Sequence, residues 1–212
     1  MTDVRRILFQ GDSLTDAFRK PEEINPAYQL GNGYAFLVAA RLARTWPGRF
    51  EFFNRGVSGD TVGRLSDRWQ ADTLDLRPDV LSVLIGINDT GQAMRGKPCA
   101  SDEGFAATYR RLLGSLRTVN PAARIILVEP FVLETGDVTA DWRAHLQPRQ
   151  KIIAEIAGEF GAVFVPVQAE FDRMLAQAPA AYWAYDGFHP THAGFQLLAD
   201  AWLEAAEPML GS

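Results

Sequence analysis

Cysteine is nearly absent from this chain. Cys99 stands alone among 212 residues, so no internal disulfide can form, and a reducing compartment, the cytoplasm, is the expected location. Long apolar runs are missing as well. No stretch approaches the roughly 18 residues of a membrane span, and the short run after residues 1–6 ends at Gln10, too soon for a secretory signal. Basic runs are absent and the net charge is −5, so neither nucleic acid nor membrane is an expected partner. Histidine is scarce: His145, His189 and His192 are the three. They form no His–x–x–x–His pair around a glutamate, and one cysteine makes no thiolate cluster, so no metal or other cofactor is expected. A chain of this length needs none of these aids. It can bury about 70 % of the surface its unfolded form exposes, and residues 1–212 read as one domain.

What the sequence does have is alternation. Short apolar runs at 7–9, 50–54, 80–87, 125–128 and 163–167 read as strands, continuous rather than alternating, as in a parallel sheet buried on both faces. Helical spacing marks 34–46, 105–119 and 142–160, and a last helix follows Pro190 through Leu197, Leu198 and Trp202. This order predicts an α/β fold, a three-layer α/β/α sandwich. In such sheets ligands bind outside the carboxyl ends of the strands.

Four polar clusters fall at that edge: 11–15 after the first strand, 54–61 after the second, 86–89 after the third, and 186–191 before the last helix. Each has an ordinary explanation alone. Ser13 suits a helix N-cap, Gly59 a backbone position with positive φ, Asn88-Asp89 another cap, and His189 before Pro190 a helix entry. Together they supply what acyl transfer needs: a hydroxyl nucleophile, a base, an acid that orients the base, and donors for the developing oxyanion. Among the histidines, His145 lies within a helical pattern, His192 has nothing marking it as a base, and His189 has Asp186 three residues before it.

The clusters read GDSLT, NRGVSGDT, GIND and DGFHPT. With Ser13, Gly59, Asn88 and His189 in that order, the chain resembles the SGNH (GDSL-type) serine hydrolases over nearly its whole length. The resemblance implies a flavodoxin-like five-stranded parallel sheet. It also implies Ser13 as nucleophile, His189 as general base and Asp186 as its orienting acid. The oxyanion would be held by the Ser13 and Gly59 N–H groups and the Asn88 side-chain amide. The Gly–x–Ser–x–Gly elbow of the α/β-hydrolases is absent.

The substrate is less sharply written. Residues 31–34, 62–69, 129–131 and 183–189 resemble acetylesterases that deacetylate xylo-oligosaccharides. Trp183 and Tyr185 closely precede Asp186, where a ring could pack on a sugar face or anchor the loop in the core. Arg55 and Arg143 could meet sugar hydroxyls, although most arginines are solvated. The segment 90–104, where a lid over an acyl groove would lie, is polar, which favours a small acyl group. A lysophospholipase, thioesterase or arylesterase with the same residues is the alternative. A phosphoacceptor receiver would account for Asp12 but needs a lysine after the fifth strand, where 166–170 has none. The expected partner is a small ester, and a homo-oligomer stays open.

Overall fold

The computed structural model describes residues 5–211. The start of the segment weighed for a signal, residues 1–4, lies outside them, as does residue 212. Five strands, β1 (Arg5–Gly11), β2 (Phe50–Asn54), β3 (Val80–Leu84), β4 (Arg124–Val128) and β5 (Val163–Val165), form one parallel sheet in the order β2-β1-β3-β4-β5. Around it, in chain order, run α1 (Ser13–Asp16), α2 (Pro26–Gln29), α3 (Tyr34–Thr45), α4 (Val62–Asp67) and α5 (Ile87–Met94). They are followed by α6 (Asp102–Val119), α7 (Ala140–Phe160), α8 (Gln168–Met174), α9 (Ala180–Trp183) and α10 (His192–Leu210). This is the three-layer α/β sandwich and flavodoxin-like strand order that the sequence predicts.

The layers follow from the period of two along each strand. Ile7 and Phe9 of β1, Val80 and Leu84 of β3, and Ile126 and Val128 of β4 share a core with α3 and α10. Their neighbours Leu8, Leu81, Val83, Ile125 and Leu127 share the other core with α4, α6 and the middle of α7. Every residue of β3 is buried, which explains its unbroken apolar run. Its one polar member, Ser82, meets the indole N–H of Trp202 on α10, which donates to Ser82 Oγ at 3.0 Å. A buried hydroxyl is thereby satisfied where it would otherwise weaken the sheet.

The strand expected over 80–87 stops at Leu84. Ile85 and Ile87 remain buried, but Gly86 turns the chain and begins α5, and apolar content cannot mark where a buried strand gives way to a buried helix. The helix expected from 105 begins earlier, capped by Ser101, whose Oγ accepts from Gly104 N–H at 3.2 Å. Asp102 and Glu103 suit its first turn. Among the described residues no helix is long and apolar enough to cross a membrane. The chain runs from β2 to the far side of β1 at β3, so the crevice between β1 and β3 is the switch point of the sheet.

Candidate active site

Ser13 stands at that switch point. β1 ends at Gly11, paired with Leu84 at the end of β3. Any Cβ on Gly11 would lie 2.2 Å from the Leu84 carbonyl oxygen, so only glycine lets the two strand ends close together. Asp12 then caps α1, its Oδ1 accepting from Leu14 N–H at 3.1 Å. Ser13 is the first helical residue, a position whose N–H has no intrahelical partner. The turn is tied to β2 by Asn54, whose Nδ2 donates to the carbonyls of Thr15 at 2.6 Å and Leu30 at 2.8 Å.

Asp12 is fully buried and its Oδ2 has no hydrogen-bond partner. Burial pushes its carboxyl up to about 8; the Leu14 N–H opposes this, and the charges of Asp89 and Asp60 add to it. Asp89, in the first turn of α5, accepts from Val62 N–H at 3.1 Å. Burial pushes it up to about 6 against that hydrogen bond and the Arg149 charge.

The histidine comes from the loop between α9 and α10. Ala184 and Pro190 form an isolated antiparallel bridge, and Tyr185 N–H donates to His189 O at 3.2 Å. Between them Gly187 has φ +101, and a side chain there would strike Val138 and the Leu133 carbonyl. Leu133 N–H instead donates to Gly187 O at 2.7 Å, fastening the loop to the segment after β4. Asp186 Oδ1 accepts from Phe188 N–H at 3.3 Å and His189 N–H at 2.9 Å, and its Oδ2 lies 2.6 Å from His189 Nδ1. A carboxylate only accepts, so the ring proton belongs on Nδ1. Nε2 is then free to accept from Ser13 Oγ, 2.8 Å away.

A cleft of about 500 Å³ opens over this contact, lined by Ser13, Gly59, Asn88, Tyr185 and His189 among others. Asn88 Nδ2 donates to Asp60 O at 3.0 Å, which fixes the amide and leaves its second N–H for the cleft. The Ser13 and Gly59 N–H groups make no hydrogen bond to another described residue. A hydroxyl hydrogen-bonded to an imidazole nitrogen, with three donors near it, can attack an acyl carbon and have the resulting oxyanion stabilised. Ser58, also on the cleft, is engaged elsewhere: its Oγ donates to Asp16 Oδ2 at 2.5 Å.

Of the two rings expected beside the substrate, Trp183 stays away from the cleft and Tyr185 lines it. Trp183 is 7 % exposed, packs in the α3–α10 core and donates from Nε1 to Ala178 O at 3.3 Å. As the last residue of α9 it anchors the loop, while Tyr185, 63 % exposed, stacks on His189 with ring centroids 5.8 Å apart. Arg55 borders a separate hollow with Pro21 and Gln29, and Arg143 is paired with Asp172. His145 and His192 are exposed. Among the described residues no group of three or more His, Cys, Asp or Glu side chains is placed to hold a metal ion.

Four residues carry no signal in the sequence. Arg95, stacked on Trp142 at 5.4 Å, forms part of the cleft wall, with Phe18 and Phe195 also lining it. Arg68 lies behind the cleft and gathers its loops. It donates to Asp60 Oδ2 at 2.6 Å, Arg55 O at 2.6 Å, Gln10 Oε1 at 2.9 Å and Gly11 O at 3.1 Å. An arginine in an amphipathic stretch reads as surface, and only the fold turns this one inward.

Comparison with known proteins agrees with this geometry. The model of the GDSL-like lipase/acylhydrolase family matches residues 9–197. An acetylxylan esterase of Geobacillus stearothermophilus is 36 % identical over 205 residues, 93 % of this chain and 92 % of that protein. A GDSL-like lipase candidate from Parabacteroides merdae superimposes with a TM-score of 0.91 at 36 % identity, covering 97 % of this chain and 98 % of the other. The acetyl-xylooligosaccharide esterase Axe2 of Geobacillus stearothermophilus, solved as a variant, gives a TM-score of 0.86 at 32 % identity, covering 97 % and 96 %. Further Axe2 structures are catalytic mutants with a serine, an aspartate or a histidine changed to alanine. The chain therefore belongs to the GDSL-like lipase/acylhydrolase family, and it is a serine esterase, a hydrolase of carboxylic esters.

Proposed function

We propose that the protein removes acetyl groups from carbohydrates, acetylated xylo-oligosaccharides among them, with Ser13 as nucleophile, His189 as general base and Asp186 as its orienting acid. The observation that carries this reading is the unbroken chain from Ser13 Oγ through His189 to Asp186, the first two of which line the cleft. Ser13 Oγ attacks the acetyl carbon as Nε2 takes its proton. The oxyanion is met by the Ser13 and Gly59 N–H groups and the Asn88 amide. Collapse expels the sugar alkoxide, which takes the proton back from Nε2 and leaves Ser13 acetylated. Water, deprotonated by the same nitrogen, releases acetate.

The small acyl group is supported by the polar segment 90–104, which lies where an apolar lid would and brings Arg95 into a wall otherwise formed largely by rings such as Phe18, Phe188 and Phe195. A long chain left in water would forgo about 0.8 kcal/mol per methylene that a covered groove supplies. The carbohydrate is supported by Tyr185 at the rim and by the likeness to acetylxylan esterases. A substrate panel tests both halves: acyl length is varied on one alcohol, then sugar against phenol with acetate fixed. Acetyl esters should be cleaved faster than butyryl or longer ones, and acetylated oligosaccharides should be substrates. Octanoyl esters outrunning acetyl esters would replace this reading with a lysophospholipase or thioesterase.

A further inference from the structure

At the lip of the cleft the chain makes a turn that its own residues disfavour. Arg19 N–H donates to Asp16 O at 2.9 Å, and both central residues, Ala17 at φ 43 and Phe18 at φ 59, are left-handed. Positive φ at both central positions is the geometry that Asn-Gly fills without strain. A bulky residue there is a genuine outlier, because its Cβ crowds the backbone.

The surroundings hold the turn in place. Ala17 N–H donates to Ser13 O at 3.0 Å, and Asn32 N–H donates to Ala17 O at 2.9 Å. Arg19 Nε donates to Gly56 O at 2.7 Å. The Phe18 ring repays nothing to the core, since it is 85 % exposed. It nevertheless lines the cleft with Ser13 and His189. Strain held by a rigid surround and spent on an exposed ring at a reactive centre points to contact with a ligand.

We infer that Phe18 is a specificity-determining residue, the platform on which the pyranose ring of the ester's alcohol part rests. This rests on the carbohydrate-ester reading above. An acetyl group has only two carbons and stays beside Ser13 Oγ, so a ring at the rim meets what lies beyond the ester oxygen. A pyranose presents a face of C–H groups that packs on an aromatic ring. Such a platform raises affinity for the sugar without touching the reacting atoms.

The experiment compares Phe18→Gly, Phe18→Ala and Phe18→Tyr with the unaltered enzyme on an acetylated xylo-oligosaccharide and on ethyl acetate, whose alcohol is too short to reach the rim. Phe18→Gly and Phe18→Ala should raise KM for the oligosaccharide about tenfold while leaving kcat and the ethyl acetate constants within about twofold. Phe18→Tyr should keep KM near the original value. Phe18→Gly should also raise the thermal midpoint, because glycine relieves the left-handed position. An unchanged oligosaccharide KM in Phe18→Gly overturns the inference, as does an equal loss on both substrates, which would mean that the ring supports the reacting groups. An unaltered enzyme with no preference for the oligosaccharide over ethyl acetate overturns the carbohydrate reading and this inference together. A preference that survives loss of the ring overturns this inference alone.

Discussion

The turn that carries Ser13 and the loop that carries His189 meet at a 2.8 Å hydrogen bond, yet they treat their aspartates in opposite ways. Asp12 is sealed in the protein with one oxygen orphaned, and burial pushes it up to about 8. Near neutrality it is largely an uncharged cap on α1. Asp186 is about a third exposed and accepts from two backbone N–H groups and the imidazole. Its two oxygens are thus fully engaged by donors that orient it on the ring. In the proposed mechanism the aspartate adjacent to the serine is scaffolding, and Asp186, brought from far along the chain, is the one that serves the chemistry.

Replacing the partners one at a time breaks or sharpens that contrast. His189→Ala should lower kcat on the order of 10⁵–10⁶-fold, since members of such a unit fail together. Asp186→Asn should cost roughly 10⁴-fold, because it leaves the imidazole in the wrong tautomer. Asp12→Asn should keep kcat within about tenfold, since an amide oxygen can still cap Leu14 N–H. Steady-state kinetics on all three decide the matter, and equal losses at Asp12 and Asp186 would erase the contrast.

Arg68 binds the strand-end loops behind the cleft, so Arg68→Met should destabilise the fold by about 3–5 kcal/mol. It strands the buried Asp60 without its partner. Denaturant unfolding measures the loss, and a change under 1 kcal/mol would show that the loops hold themselves.

Asn88→Ala should lower kcat about 10²–10³-fold with little change in KM, because its amide matters once charge develops on the carbonyl oxygen. A purely structural Asn88 would instead cost about 1 kcal/mol of stability with kcat intact. Kinetics and thermal midpoint on one preparation separate the two.

The smallest effect concerns pH. An unfolded aspartate ionises near 3.9, while folded Asp12 ionises at about 8. Between these values the unfolded chain binds fewer protons than the folded one, so stability falls as pH rises through the window. Asp12→Asn should flatten that fall in stability between pH 4 and 8. Unfolding at several pH values measures it, and an unchanged slope would mean that Asp12 stays ionised throughout.

The layered fold was legible because strands buried on both faces leave continuous apolar runs, as β3 does at 80–84. Ser13, Gly59, Asn88, Asp186 and His189 were legible because they occur in local blocks whose other letters hold the loops in place: Asn54 ties the Ser13 turn, Thr61 caps α4, and Thr191 caps α10. Trp183 and Tyr185 could not be told apart. They differ by two positions, and only the end of α9 decides which enters the core. Phe18 and Arg95 left no trace because their place on the cleft depends on a left-handed turn and on stacking against Trp142. Neither follows from spacing.

The central claim is that His189 activates Ser13 as the nucleophile. Its most direct test is intact-mass measurement and peptide mapping after treatment with a fluorophosphonate, which phosphonylates activated serines. The account predicts one adduct per chain, on Ser13, formed with loss of esterase activity and all but abolished in His189→Ala. An adduct on Ser58, or full activity in a chain labelled at Ser13, would contradict it.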